Sequence, residues 1–135
     1  MRTTLRGTSR VLALALGAVA SLTVLSGTAS AADIDAPYAR AAAKVSADAG
    51  LLGTKNVQSV ARGTGVGTYC VKVESRAVSD LSNAAILATL NNFRGEITAI
   101  GAPHAYCGNA ANTITVVTSD SAGKAADRPF TVAVL

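Results

Sequence analysis

The chain has 135 residues, half of them hydrophobic and 15% charged, with a net charge of +4 and a pI near 9.4. Three of its 12 basic residues, Arg2, Arg6 and Arg10, fall in the first ten positions, and without them basic and acidic groups nearly balance. The apparent basicity therefore argues for neither nucleic acid nor anionic lipid as a partner.

The N-terminus reads as an export signal. Arg2, Arg6 and Arg10 form a positive region, Val11 to Leu25 is mostly apolar, and Ala29-Ser30-Ala31 supplies the small residues of a cleavage site. The apolar run is shorter than the roughly 20 residues that span a bilayer, so no membrane span is expected in the mature form. No cysteine follows the run, so no lipid anchor is expected either. The expectation is a signal peptide over 1–31 and one secreted, extracellular, monomeric domain over 32–135. A domain of this size buries about 65% of its unfolded surface, which leaves little margin. The core is also poor in aromatics, with Tyr38, Tyr69, Phe93, Tyr106 and Phe130 the full set.

In chain order, residues 32–37 read as a frayed leader. From Tyr38 to Ala47, Ala39, Ala41, Ala43, Val45 and Ala47 alternate with Tyr38, Arg40, Lys44 and Ser46. Alanine favours helix, but period two with charges on one face predicts a strand. Asp48-Ala49-Gly50 predicts a turn. Val57 to Ala61 and Thr68 to Glu74 predict two strands of a hairpin, joined through Gly63-Thr64-Gly65-Val66-Gly67. In the second of these, Tyr69, Val71 and Val73 share one face, and Cys70, Lys72 and Glu74 the other. With the valines inward, Cys70 points outward toward a covering loop.

Residues 84–90 fit either a helix or a strand, and a strand is preferred, forming a hairpin with 96–100 across Asn91 to Gly95. A loop follows from Gly101 to Ala111. Residues 112–119 are rich in β-branched side chains and give the clearest strand. After a turn-rich link, 129–135 gives the last one, with Phe130, Val132 and Val134 on one face. Seven short strands with regular turns predict an all-β fold, an antiparallel β-sandwich with one disulfide.

Tyr38 to Val45, Asn56 to Arg62, Gly65 to Val73 and Asp127 to Val132 together resemble small exported β-domain proteins of high-GC Gram-positive bacteria. The strand Gly67-Thr68-Tyr69-Cys70-Val71 is also similar to a Gly-x-Tyr-x-Val strand of some phage tail-fibre-like segments. The resemblance implies a compact β-domain and carries no catalytic residue and no cofactor.

Few residues are candidates for chemistry. Cys70 and Cys107, an even pair in an exported chain, predict a disulfide worth about 4 kcal/mol at the upper end. His104-x-x-Cys107 offers too few ligands for a metal. His104 is the single histidine, and no Gly-x-Ser-x-Gly elbow accompanies it. The 63–67 glycine run lacks the helix and lysine of a phosphate loop and reads as a hairpin turn. The acids are scattered, without a paired-carboxylate or calcium-loop pattern. The expectation is a non-enzymatic protein with no cofactor and no metal. It would contact an extracellular or cell-envelope partner through Pro103, His104 and Tyr106. Two alternatives stand beside it: a protease inhibitor presenting the 101–111 loop, and a small hydrolase using His104.

Overall fold

A computed structural model describes residues 30–135, so all but the last two positions of the expected signal peptide lie outside the described residues. Among the described residues nine strands run in chain order: β1 (Ala32–Asp33), β2 (Ala41–Val45), β3 (Leu51–Lys55), β4 (Val57–Arg62), β5 (Thr68–Val73), β6 (Ile86–Leu90), β7 (Ile97–Ile100), β8 (Thr113–Thr118) and β9 (Phe130–Val134). They form two sheets, of order β1-β3-β2-β9-β6 and β4-β5-β8-β7. Every pairing is antiparallel except β1 with β3. The protein is thus an all-β sandwich, as the alternation predicts.

The core lies between the sheets. From one side come Ala41, Ala43 and Val45 of β2 with Phe130, Val132 and Val134 of β9; from the other, Tyr69, Val71 and Val73 of β5 with Ile114 and Val116 of β8. Tyr69 and Phe130 are fully buried and meet edge to face at 5.0 Å, which places the two largest inner side chains against each other. The alanine-rich β2 is extended because that conformation alone puts Ala41, Ala43 and Val45 inward while Lys44 stays exposed. Burial outweighs alanine's helical preference here.

Residues 51–55, unassigned by the sequence pattern, form β3. The strand escapes detection because a register shift against Lys44/Val45 interrupts its alternation and Gly53 sits at its centre. Asn56, at φ 54°, then swings the chain out of one sheet into the other, a left-handed conformation that asparagine tolerates. Its side-chain amide donates to Arg40 O at 2.6 Å, and its carbonyl accepts from Glu74 N at 3.0 Å.

Two expectations need correction. The leader is not frayed: Ala32 and Asp33 pair with Gly53 and Thr54, and Lys55 Nζ holds the chain beyond them by donating to Ala36 O at 2.8 Å. Residues 84–90 and 96–100 are both strands, but they are not a hairpin. β6 pairs with β9, and β7 with β8, in opposite sheets. The reason is burial. The core-directed Ile86, Ala88 and Leu90 line up with Val134, Val132 and Phe130, so the two strands face each other across the core instead of sharing one of its walls. Gly95, at φ 151°, makes the crossing possible, since any Cβ there would collide with Ser119 O.

Candidate functional site

Within the segment from Gly101 to Ala111, the turn at Ala105–Cys107 lies over the outer face of the four-stranded sheet, against β5 and β8. Strand parity sets this up: with Tyr69, Val71 and Val73 inward, Cys70 projects from the opposite face and bonds to Cys107. The cross-link closes 37 positions of sequence. It is not the loop's only tie. Thr64 N, in the β4–β5 turn, donates to Tyr106 O at 2.9 Å. The turn itself is closed by Gly63 N donating to Thr68 O at 2.9 Å, with Gly65 and Gly67 at positive φ. Gly63 must remain without a side chain, because a Cβ would lie 2.6 Å from Thr68 Cγ2 and 2.9 Å from Tyr106 O.

Between these ties Ala105–Cys107 form a single 3-10 turn. His104 caps it: Nδ1 accepts from Tyr106 N at 3.3 Å, and its carbonyl accepts from Cys107 N and Asn109 N, both at 3.0 Å. The imidazole also meets the Tyr106 ring edge to face at 4.7 Å. Of the expected contact residues, Pro103 and Tyr106 are exposed and His104 is half-buried. The three sit together, braced from beneath. Among the described residues no hydrogen bond joins His104 to a serine, threonine or carboxylate side chain. Its Nδ1 is occupied in holding the turn. Under the loop, Thr115 pairs with Cys70 on β5 and is fully buried, and its hydroxyl has no hydrogen-bond partner.

A second cluster, which sequence reasoning missed, closes one end of the sandwich. The Asp127 carboxylate pairs with Arg62 and also accepts from Gly67 N at 2.6 Å. Arg62 Nη1 donates to Ala47 O at 2.9 Å, and its guanidinium stacks 4.9 Å from the centre of the Tyr69 ring. The Tyr69 hydroxyl donates to the same Ala47 carbonyl at 2.8 Å. The hydrogen bond from Arg62 holds the Asp127 carboxyl below its ordinary pKa, and burial, then the Asp127 charge, pushes the Tyr69 phenol up. Asp127 and Arg62 are 65 positions apart, a separation with no local signature. Every polar group in the cluster is committed to a structural partner, so it fastens three loops together and offers no free acid, base or nucleophile.

An open cleft of about 550 Å³ lies elsewhere, between β1, the segment after it and the ends of β3 and β5. Asp33, Asp35, Lys55, Glu74 and Arg76 line it. Among the described residues no group of three or more histidine, cysteine or acidic side chains is placed to hold a metal ion, and no helix is long and apolar enough to cross a membrane.

These features define a class: a two-sheet β-sandwich whose single disulfide pins a surface loop. Comparison with protein-family models, with curated proteins and with solved structures finds no match.

Proposed function

We propose that this chain is exported and acts without catalysis, by contact between its braced 101–111 loop and a partner in the extracellular space or cell envelope. The observation that carries the reading is the loop's triple restraint. The disulfide, the Thr64–Tyr106 hydrogen bond and the His104 cap hold it in one conformation, with Pro103 and Tyr106 turned outward. A loop ordered in advance loses little entropy on binding, and loops on a rigid scaffold are where contact residues concentrate. The disulfide supports export, because such bonds persist in oxidising compartments.

The inhibitor alternative calls for an extended segment, and the 3-10 turn at Ala105–Cys107 gives it less support. The hydrolase alternative calls for a free imidazole, and the cap made by His104 Nδ1 gives it less support too. Capture experiments with the domain over 32–135, against the cell wall and the secreted fraction of the producing cell, test the proposal. A retained partner that is lost with Tyr106→Ala and Pro103→Ser variants is the expected result. Equal capture by those variants would remove the loop from the account.

A further inference from the structure

Strand β6 ends one edge of the five-stranded sheet and, among the described residues, bonds to β9 alone. Leu135 N donates to Ala85 O at 3.0 Å and Asn91 N donates to Pro129 O at 2.9 Å, which sets the alternation of the ladder. Ala85, Leu87, Thr89 and Asn91 turn their backbone polar groups toward β9. Ile86, Ala88 and Leu90 therefore turn theirs outward, and among the described residues those groups meet no other backbone group.

Edge strands of monomers are ordinarily protected by a charge, a proline or a covering segment. From Leu81 to Phe93 this chain has neither a charged residue nor a proline. Beside β6 runs β7, the edge of the other sheet, and Ile86, Ala88, Leu90, Ile97 and Ala99 are all only partly buried along that side. Leu87 is 59% exposed on the outer face, next to Thr89, Thr131 and Ala133 around a shallow hollow of about 330 Å³.

We propose that β6 pairs antiparallel with β6 of a second copy of this chain, about a two-fold axis at Ala88. In that register Ala88 opposes Ala88, Ile86 opposes Leu90 and Leu87 opposes Thr89 of the second copy. Each outward N–H then meets an outward carbonyl, and the two five-stranded sheets become one. The uncharged run is bracketed by Asp80 before and Arg94 after. With no charged residue from 81 to 93 in either copy, the pairing brings no like charges together, and the exposed Leu87 of each copy lies against Thr89 beside the hollow of the other. A two-fold contact of this kind uses the same surface on both copies and closes at two, because each copy's β6 edge is then taken. An edge contact of five residues falls short of the roughly 800 Å² per partner of a standard interface. Association is therefore weak, and the chain is the expected monomer when dilute.

Sedimentation velocity from micromolar to millimolar chain, with amide hydrogen exchange in parallel, tests the proposal. The expected result is a dimer at the upper end, with exchange slowed at Ile86, Ala88 and Leu90 in proportion to its population. Leu87→Lys, at an exposed position, should raise the dimer dissociation constant about tenfold. Ala88→Pro should abolish pairing while costing no bond to β9, because the N–H it removes points outward. Unchanged thermal melting of dilute Leu87→Lys establishes that its fold is native. A monomer throughout, a dimer indifferent to Leu87→Lys, or protection of those amides only by an added unrelated strand-forming peptide would each overturn it.

Discussion

Arg62 and Asp127 meet as an ion pair at one end of the sandwich, bringing the end of β4 against the segment that leads into β9. Through Gly67 N, Ala47 O and the Tyr69 hydroxyl, the pair ties the β2–β3 and β4–β5 turns to the β8–β9 link. Such a knot at the mouth of a sandwich holds the sheets in register without adding to the core.

Stability should fall in acid through this pair. The Asp127 carboxyl titrates lower in the folded chain than unfolded, so its contribution is fully present above the ordinary carboxylate pKa and is lost as pH falls through the folded value. Both side chains are more than a third exposed, and solvent screening limits the effect to about 1 kcal/mol. Thermal melts of wild type and Asp127→Asn from neutral pH to pH 2 check this. The two curves should differ at neutral pH and converge in acid.

Tyr69 should behave in the opposite sense. Its phenol titrates higher when folded, so its contribution is present below the ordinary tyrosine value and is lost as pH rises through the folded one. Tyr69→Phe keeps the ring packed on Phe130 and removes the bond to Ala47 O, at a cost of about 1 kcal/mol at neutral pH. Denaturant unfolding at neutral and strongly alkaline pH should show that difference shrinking as pH rises.

Opening the disulfide should cost more than either. The entropy of the loop it closes corresponds to about 4 kcal/mol, and in a chain of this size that lowers Tm by roughly 15 °C or more. Cys70→Ser with Cys107→Ser, or reduction, should also make residues 101–111 the first site of proteolytic cutting. Calorimetry and limited proteolysis read the two effects separately. A Tm indifferent to reductant would show that the bond restrains nothing that matters.

Beneath that loop, Thr115→Val should raise stability by about 1 kcal/mol. The hydroxyl is buried without a partner, and valine keeps the branched shape while removing an unpaired polar group. Chemical denaturation midpoints at constant slope check the gain.

Much of this architecture is written locally. The alternation in Tyr69, Val71 and Val73 determined which face is core, and it therefore determined that Cys70 looks outward to a loop. The runs at 113–118 and 130–134 were legible for the same reason: their β-branched and aromatic residues recur with period two. The glycines at 65 and 67 announced a reversal, and both take positive φ.

Pairing was decided elsewhere. Nothing within residues 84–100 says that β6 belongs with β9 and β7 with β8, because which sheet a strand joins depends on apolar faces contributed by segments far along the chain. The same holds for β3, whose register shift hid its period, and for Arg62 with Asp127, which are separated in sequence by four strands. Side-chain alternation is a property of neighbours in sequence, and the amino-acid order by itself determines it. Strand order, the edge left open at β6 and the knot at Asp127 arise from contacts between distant segments, and the tertiary structure alone decides them.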